Sequence, residues 1–436
     1  MTKYSKIGKI CDDFDLVQLK SVLIKNDAGD WGNEPDNSAI GIIRSTNFNN
    51  DGKLDLTNVA YRTLSVRKLE EKKLSVSDIL IERSGGSETQ PVGRVGYITE
   101  ELAKNDFAFA NFIQRISIDD TIDSKFIYYC LQHLYEMGIT SGMQTQTTGI
   151  RNLDWKQYIG TYLPKPSLPE QASIANILSK VDEAIESVKK SIEEAGKLKK
   201  SLMQNLLTGR MKPDGTLRKD DEFYVDEKFG KVPIGWDVKK VKEFGEVITG
   251  KTPPTEEPDV FSDVERGFMF ITPGDVGDSK YIKQTERYVS EKGIKYSYRI
   301  PKYTICVICI GSTIGKIGIT TQECCTNQQI TSIVINNHNY YEYFYYAMLS
   351  RKEHLKSIAG INATPQINKS EYSKYKIICP ISKEEQINIA QKISAVDKDI
   401  NDKQNKITAL ERLKKSLMQN LLTGKVRVGE GKVNPK

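Results

Sequence analysis

Residues 198–209 read LKKSLMQNLLTG, and residues 413–424 read LKKSLMQNLLTG again, an unbroken identity at an offset of 215. Extended backwards, Glu170–Gly209 against Glu385–Gly424 gives 21 identities in 40 positions. A repeat of this length dictates architecture before any single residue does. Both copies carry helical periodicity. In the first, Ile174, Leu178, Val181, Ile185, Val188, Ile192 and Ala195 recur at alternating spacings of four and three, with Leu198, Leu202 and Leu206 continuing them. That is a heptad seam, which buries one stripe against a partner helix. The second seam is Ile389, Ile393, Val396, Ile400, Ile407, Leu410, Leu413, Leu417 and Leu421, interrupted by Lys403. Thr208-Gly209 and Thr423-Gly424 supply matching stops, since glycine tolerates a left-handed C-cap. Such helices would be roughly 58 Å long at 1.5 Å per residue. Their equal length favours the two copies packing on each other over the seam of an ordinary coiled-coil dimer.

Working outward, 436 residues suffice for two or three domains. A net charge of +6 permits a nucleic-acid partner without demanding one. MTKYSKIGKI lacks the apolar core of a signal peptide, and no run of 18 apolar residues suggests a membrane span. Seven cysteines, two of them adjacent at Cys324-Cys325, do not resemble a secreted disulfide framework. A reducing cytoplasm is the expected location.

Residues 1–165 mix short strand-like runs with glycine-rich turns and one helical stretch at 125–139, as an α+β globule does. Residues 210–233 carry six basic and six acidic side chains and read as a solvated linker. Residues 234–380 then replay the first globule. Phe14-Asp15-Leu16 matches Trp236-Asp237-Val238, and Val92-Gly93-Arg94-Val95-Gly96 matches Ile314-Gly315-Lys316-Ile317-Gly318, both at an offset of 222. The expected organisation is a first domain (1–165), a long helix (166–209), the linker, a second domain (234–380), a second long helix (381–424) and a tail (425–436). The fold class expected is α+β: two similar domains in a pseudo-two-fold internal repeat, with two long antiparallel helices forming an intramolecular coiled coil.

Catalytic constellations are hard to find. The only Pro-Pro, in Thr252-Pro253-Pro254-Thr255, does not fit an amino-methyltransferase loop. Gly311-Ser312-Thr313-Ile314-Gly315-Lys316-Ile317 fails the spacing of a phosphate-binding loop. His133, His338 and His354 lie in unrelated contexts. Cys306-x-x-Cys309 with Cys324-Cys325 offers four thiols for zinc, but residues three apart on a strand face opposite sides, so buried apolar cysteines are the better reading and no metal is expected.

The polar loops point to nucleic acid. Major-groove reading uses Arg or Lys for guanine, Asn or Gln for adenine and Thr for the thymine methyl. Such residues recur in both halves: Arg44, Gln90, Arg94, Gln144, Gln146 and Arg151 in the first; Lys251, Thr252, Ser312, Thr313, Lys316, Gln328, Thr364 and Gln366 in the second. Arg94 and Lys316, at equivalent loop positions, are expected to meet phosphate or guanine. One polar loop alone is ordinary solvated surface. Its recurrence in two similar globules favours DNA contact.

The chain resembles the specificity (S) subunit of a Type I restriction-modification system. The resemblance rests on the duplicated stretch from Glu170-Gln171-x-x-Ile174-Ala175 to Leu198–Gln204, repeated from Glu385-Gln386-x-x-Ile389-Ala390 to Leu413–Gln419. It also rests on Ile79–Ser87, Pro91-Val92-Gly93-Arg94, and Pro233-x-Gly235-Trp236 with Gly250-Lys251-Thr252-Pro253. The first domain departs from the pattern in lacking Pro-x-Gly-Trp; Phe14 stands where Trp236 does. The resemblance implies two target-recognition domains, each reading half of a bipartite double-stranded DNA site. It implies helices that space the domains and dock two methyltransferase subunits, with Gln204, Asn205, Gln419 and Asn420 as candidate docking residues. It implies a non-catalytic chain holding no cofactor or metal, with S-adenosylmethionine, ATP and Mg on methyltransferase and restriction subunits. The alternatives are a stand-alone DNA-binding protein, a coiled-coil scaffold without DNA readout, and a fused methylase-nuclease.

Overall fold

The computed structural model describes residues 3–87, 90–147, 150–262, 267–277, 279–360 and 365–428. The chain divides into two compact units, Met1–Lys189 with Asn405–Lys436, and Lys190–Gln404. Each unit therefore holds one domain, the first half of the long helix that follows that domain in sequence, and the second half of the other long helix.

In the first unit, an antiparallel sheet runs in the order Leu23–Ala28, Ile113–Ile118, Ile79–Glu82, Val95–Tyr97. Beside it Phe107–Phe109 pairs parallel with Ile40–Ile43, which pairs antiparallel with Ala60–Arg62. The helix Ser124–Glu136, capped by the Asp123 carboxylate, buries Phe126, Ile127, Leu131 and Leu134. The second unit repeats this plan. Gly245–Thr249, Ile330–Ile335, Ile305–Ile308 and Ile317–Thr320 form the sheet, with Tyr281–Ile282 added at its edge. Phe268–Ile271 pairs parallel with Cys324–Thr326, and Tyr341–Leu349 is the packed helix. Strands buried on both faces explain why runs such as ILIE and ICVI read as continuous apolar stretches rather than alternating ones.

The long helices run Leu168–Leu207 and Lys383–Leu422. Within each unit their segments pair antiparallel. In the first unit Asp182 meets Lys414 (2.8 Å) and Glu170 meets Arg427 (2.8 Å). In the second, Asp397 meets Lys199 (2.5 Å) and Glu385 meets Arg218 (2.5 Å). The repeat thus exchanges partners: a carboxylate from one copy takes a lysine from the other. A tyrosine from each domain joins the pair. Tyr129 Oη donates to Asp182 Oδ2 (2.8 Å) and Tyr346 Oη to Asp397 Oδ2 (2.6 Å). Burial, the adjoining carboxylate adding to it, raises both phenols, so they stay protonated donors.

The helix ends show why Thr-Gly recurs. Gly209 and Gly424 have φ of +70° and +71°, the left-handed C-cap. A Cβ at Gly424 would lie 2.7 Å from Cys11 Cβ and 2.8 Å from the Phe14 ring. At Gly209 the crowding atoms belong to Pro233 and Trp236. Each helix therefore ends on an aromatic anchor of the domain in its unit, Phe14 or Trp236.

Three sequence expectations change. Leu198 and Leu413 do not continue the seam; they are 52% and 47% exposed. Residues 210–233 are not a bare linker. They hold the hairpin Phe223–Asp226/Gly230–Pro233, with Val232 buried and the charges paired as Lys212–Glu222 and Lys231–Asp220, both 2.7 Å. The start of the tail is a clasp: Arg427 grips both oxygens of Glu170 and covers the Phe14 ring, as Arg218 covers Trp236.

Candidate nucleic-acid interface

In the first unit, loops distant in sequence become one small sheet. Gln144–Thr147 pairs with Ile150–Leu153, which pairs with Ser84–Gly85. Gln146 stands opposite Arg151 in register, and Arg151 opposite Gly85. Ser84 Oγ donates to Asn152 Oδ1 at 2.6 Å, fixing both side chains. The Gln146 side chain lies outside the described structure. Gln90 sits nearby, its amide donating to Asn50 Oδ1 (3.0 Å). Arg44 Nε and Gln144 Nε2 are enclosed and have no hydrogen-bond partner.

Arg94 is a correction. Its side chain is 7% exposed, and Glu82, its partner, is fully enclosed. Arg94 Nε and Nη2 donate to the two Glu82 oxygens at 2.8 and 2.7 Å; Nη2 also reaches the Ser45 carbonyl (3.0 Å) and Nη1 the Phe48 carbonyl. Burial pushes the Glu82 carboxyl up and the guanidinium pulls it back. A guanidinium so engaged holds loops of the first unit together, rather than standing free at a loop tip as the sequence suggested. Its equivalence to Lys316 nonetheless holds along the backbone. Glu82 N–H bonds Arg94 O as Ile308 N–H bonds Lys316 O, and Gly93 N–H bonds Glu82 O as Gly315 N–H bonds Ile308 O. Ile308 stands where Glu82 does, and Lys316 is half-buried with its side-chain carbons beside Gly277.

In the second unit Thr252 Oγ1 donates to Gln328 Oε1. Gln366 bridges to Ile310, and Gly311 N–H bonds the Pro365 carbonyl (3.0 Å). Gln329, adjoining Gln328, lies near Gly311. Lys251, Thr252, Ser312, Thr313, Gln328 and Gln366 thus come from four loops of the second unit; Lys251, Ser312, Gln328 and Gln366 are exposed. Thr364 and its neighbour Asn362 lie outside the described residues. Cys306, Cys324 and Cys325 are buried on strands and Cys309 just past the end of one; burial pushes Cys306 and Cys325 up to about 12 and Cys309 to about 11, so these thiols stay neutral. Among the described residues no cluster of three or more His, Cys, Asp or Glu could hold a metal, and no helix is long and apolar enough to cross a membrane.

Sequence reasoning missed the turn Ala110–Ile113. Asn111 and Phe112 project from it, with Phe112 47% exposed. Matching backbone bonds equate this turn with Asn327–Ile330. Ile113 N–H bonds Ala110 O (2.9 Å) as Ile330 bonds Asn327 O (3.2 Å). Arg83 N–H bonds Phe112 O as Cys309 bonds Gln329 O, both 2.9 Å. Gly29 N–H bonds Ile113 O (3.1 Å) as Gly250 bonds Ile330 O (3.0 Å). Asp30 N–H bonds Phe109 O as Lys251 bonds Thr326 O. Phe112 is therefore the counterpart of Gln329, and Trp31 that of Thr252. The polar recurrence in the second unit was the signal from which the first-unit turn could have been found.

The two units thus carry different side chains on matching loops of a repeated backbone. Comparison with known proteins finds the same duplication. The family described as Type I restriction modification DNA specificity domain matches twice, over residues 13–196 and 233–412. The chain belongs to that family. It is 28% identical over 339 residues to the type I restriction enzyme MjaVIII specificity subunit of Methanocaldococcus jannaschii, covering 75% of this chain and 76% of that one. It is 34% identical over 203 residues to the HindI specificity subunit of Haemophilus influenzae, covering 45% and 42%. The fold matches the Type I S subunit of M. genitalium with a TM-score of 0.58 at 18% identity, over 96% of this chain and 99% of that one. The chain is thus a Type I specificity subunit with two DNA-recognition domains.

The helices of this specificity subunit carry a second surface. Over positions 170–197 and their repeats 385–412, nine positions are exposed in both copies, and all nine differ; every identical position is buried or half-buried. Over 198–209 and 413–424 the rule inverts. Leu198/Leu413, Lys200/Lys415, Ser201/Ser416 and Gln204/Gln419 are exposed in both copies and identical. Packing explains identity at buried sites, but not at exposed ones. Gln204 is exposed. Asn205 is half-buried and bonds back to the Ser201 carbonyl (2.9 Å), and Asn420 bonds Ser416 Oγ (3.3 Å). Gln419 is already engaged: its amide meets His133 Nε2 (3.1 Å) and the Ile7 carbonyl (3.4 Å).

Proposed function

We propose that this chain chooses the DNA sequence for a Type I restriction-modification complex and itself performs no chemistry. Each domain reads one half of a bipartite double-stranded target. Arg44, Gln90, Gln144, Gln146 and Arg151 serve one half-site; Lys251, Thr252, Ser312, Thr313, Lys316, Gln328, Thr364 and Gln366 serve the other. The observation that carries this reading is the matched backbone with unlike side chains, since different base-reading groups select different bases. The half-sites are accordingly unlike, with unread bases between them.

Two methyltransferase subunits dock on the two identical patches, one each, because equal surfaces select equal partners. Leu198 and Leu413 are the apolar anchors, and Lys200, Ser201, Gln204, Asn205 and their repeats form the polar rim. Those subunits bring S-adenosylmethionine, and restriction subunits bring ATP and Mg; the assembly works in the cytoplasm. Converting both leucines to Asp tests the docking. Because both are exposed, the chain should fold within about 0.5 kcal/mol of its parent. Co-purification of the methyltransferase subunit should fall at least roughly ten-fold, the effect of losing about 1.4 kcal/mol of binding. Undiminished co-purification would move the docking surface elsewhere. For the whole reading, deleting the gene should erase one bipartite adenine-methylation motif from the host genome. A methylome that keeps all its motifs would reject it.

A further inference from the structure

The two recognition domains share the backbone of one turn but not its side chains. In the first unit Phe112 sits at the tip of Ala110–Ile113. That turn is held by its own Ile113-to-Ala110 bond, by Ala110 N–H to Ile43 O (2.9 Å) and by Arg83 N–H to Phe112 O (2.9 Å). These backbone bonds fix the turn that presents the half-exposed phenyl ring. It separates two open clefts. One, of about 560 Å³, is walled by Ser84, Thr145, Asn152 and Lys156; the other, of about 400 Å³, by Trp31, Arg44, Ser45 and Thr46. At the matching positions the second unit places Gln329 for Phe112 and Thr252 for Trp31.

Resting on the DNA-recognition reading above, we propose that Phe112 is a wedge that enters a base step of the half-site read by the first unit. It unstacks that step while the polar walls of the two clefts hold the strands on either side. Apolar side chains presented this way open and kink duplexes by roughly 20–90°. A glutamine cannot do so without stranding its amide between bases, so the second half-site is read by hydrogen bonds from an unopened duplex. One half-site is therefore recognised partly through how readily a step unstacks, and tolerates flexible pyrimidine–purine steps best. The other is not.

The test uses the complex with its methyltransferase subunits and duplexes carrying its mapped target. The fluorescent base 2-aminopurine replaces, in turn, each adenine of the half-sites other than the two that become methylated. Fluorescence should rise several-fold on binding at one step of one half-site only. Phe112→Ala should abolish that rise and weaken binding roughly five- to hundred-fold, the range for losing one stacked base; Phe112→Leu, apolar and long enough to enter, should keep part of it. Gln329→Phe should create a rise in the other half-site. The wedge is overturned by a complex that binds and methylates its target with no such rise, or by a Phe112→Ala complex that still shows it. A Phe112→Ala complex that only relaxes choice at a thymine, on a duplex that never brightened, also overturns it, in favour of surface contact. No binding of the target at all would overturn the recognition reading, and the wedge with it.

Discussion

Arg94→Ala is expected to unfold the first unit at moderate temperature rather than to weaken DNA contact. The substitution leaves the Glu82 carboxylate, which has no solvent exposure, without its two guanidinium bonds. It also takes a donor from the Phe48 carbonyl and from the Ser45 carbonyl, which keeps only the Phe48 N–H (3.2 Å). Removing one partner of a buried pair costs about 3–5 kcal/mol, most of it from the abandoned charge. That approaches the whole stability of many domains. Calorimetry should show the transition of the first unit shifted down by many degrees. Adding Glu82→Leu to Arg94→Ala removes the stranded charge and should recover much of the loss. The fraction that remains folded should bind DNA with an unchanged salt dependence, because no phosphate contact has gone. A stable Arg94→Ala chain with a shallower salt slope would restore Arg94 to the interface.

Trp236→Ala should be the second large effect. The indole is 2% exposed, donates to Glu385 Oε1 at 3.1 Å, lies under the Arg218 guanidinium and meets Tyr343 edge-on. Truncating a large buried aromatic costs about 3–5 kcal/mol. Here it also removes the anchor on which the first long helix ends. Trp236→Phe should cost well under half as much, because Phe14 does the same work in the first unit beneath Arg427. Urea unfolding of the three chains gives the ranking. Equal losses for Ala and Phe would mean that the Glu385 bond, not the ring, secures the helix.

The sequence carried the plan and not its exchanges. Heptads, the twelve-residue identity and the Thr-Gly stops declared two matched helices, and the offsets of 222 and 215 declared two matched domains. That Asp182 takes Lys414 and Asp397 takes Lys199 was out of reach, because a repeat does not say which copy supplies the partner. Arg94 was misread for a related reason. An arginine beside glycines looks like a phosphate contact until strand pairing brings Glu82, twelve residues upstream, against it. Leu198 and Leu413 stay in phase with the seam in sequence, yet the helix ends turn Leu206 and Leu421 to the domain cores and leave the earlier leucine outside. Phe112 was invisible because 107–118, FAFANFIQRISI, alternates well enough to read as one half-buried strand, whereas it is two strands, Phe107–Phe109 and Ile113–Ile118, with the turn between them; only the hydrogen-bond match to Gln329 pairs Phe112 with the polar loops of the second unit. The 210–233 stretch looked like linker by charge, and those charges turned out to be paired across its hairpin and against Glu385.

The central claim is that the two domains read independently, each with its own loops on a shared scaffold. Exchanging residues 234–380 for the matching domain of a related specificity subunit, followed by mapping of methylated adenines, tests it most directly. The account predicts that one half-site changes to the donor's while the other half-site and the gap stay as they were. Simultaneous change of both half-sites would contradict it.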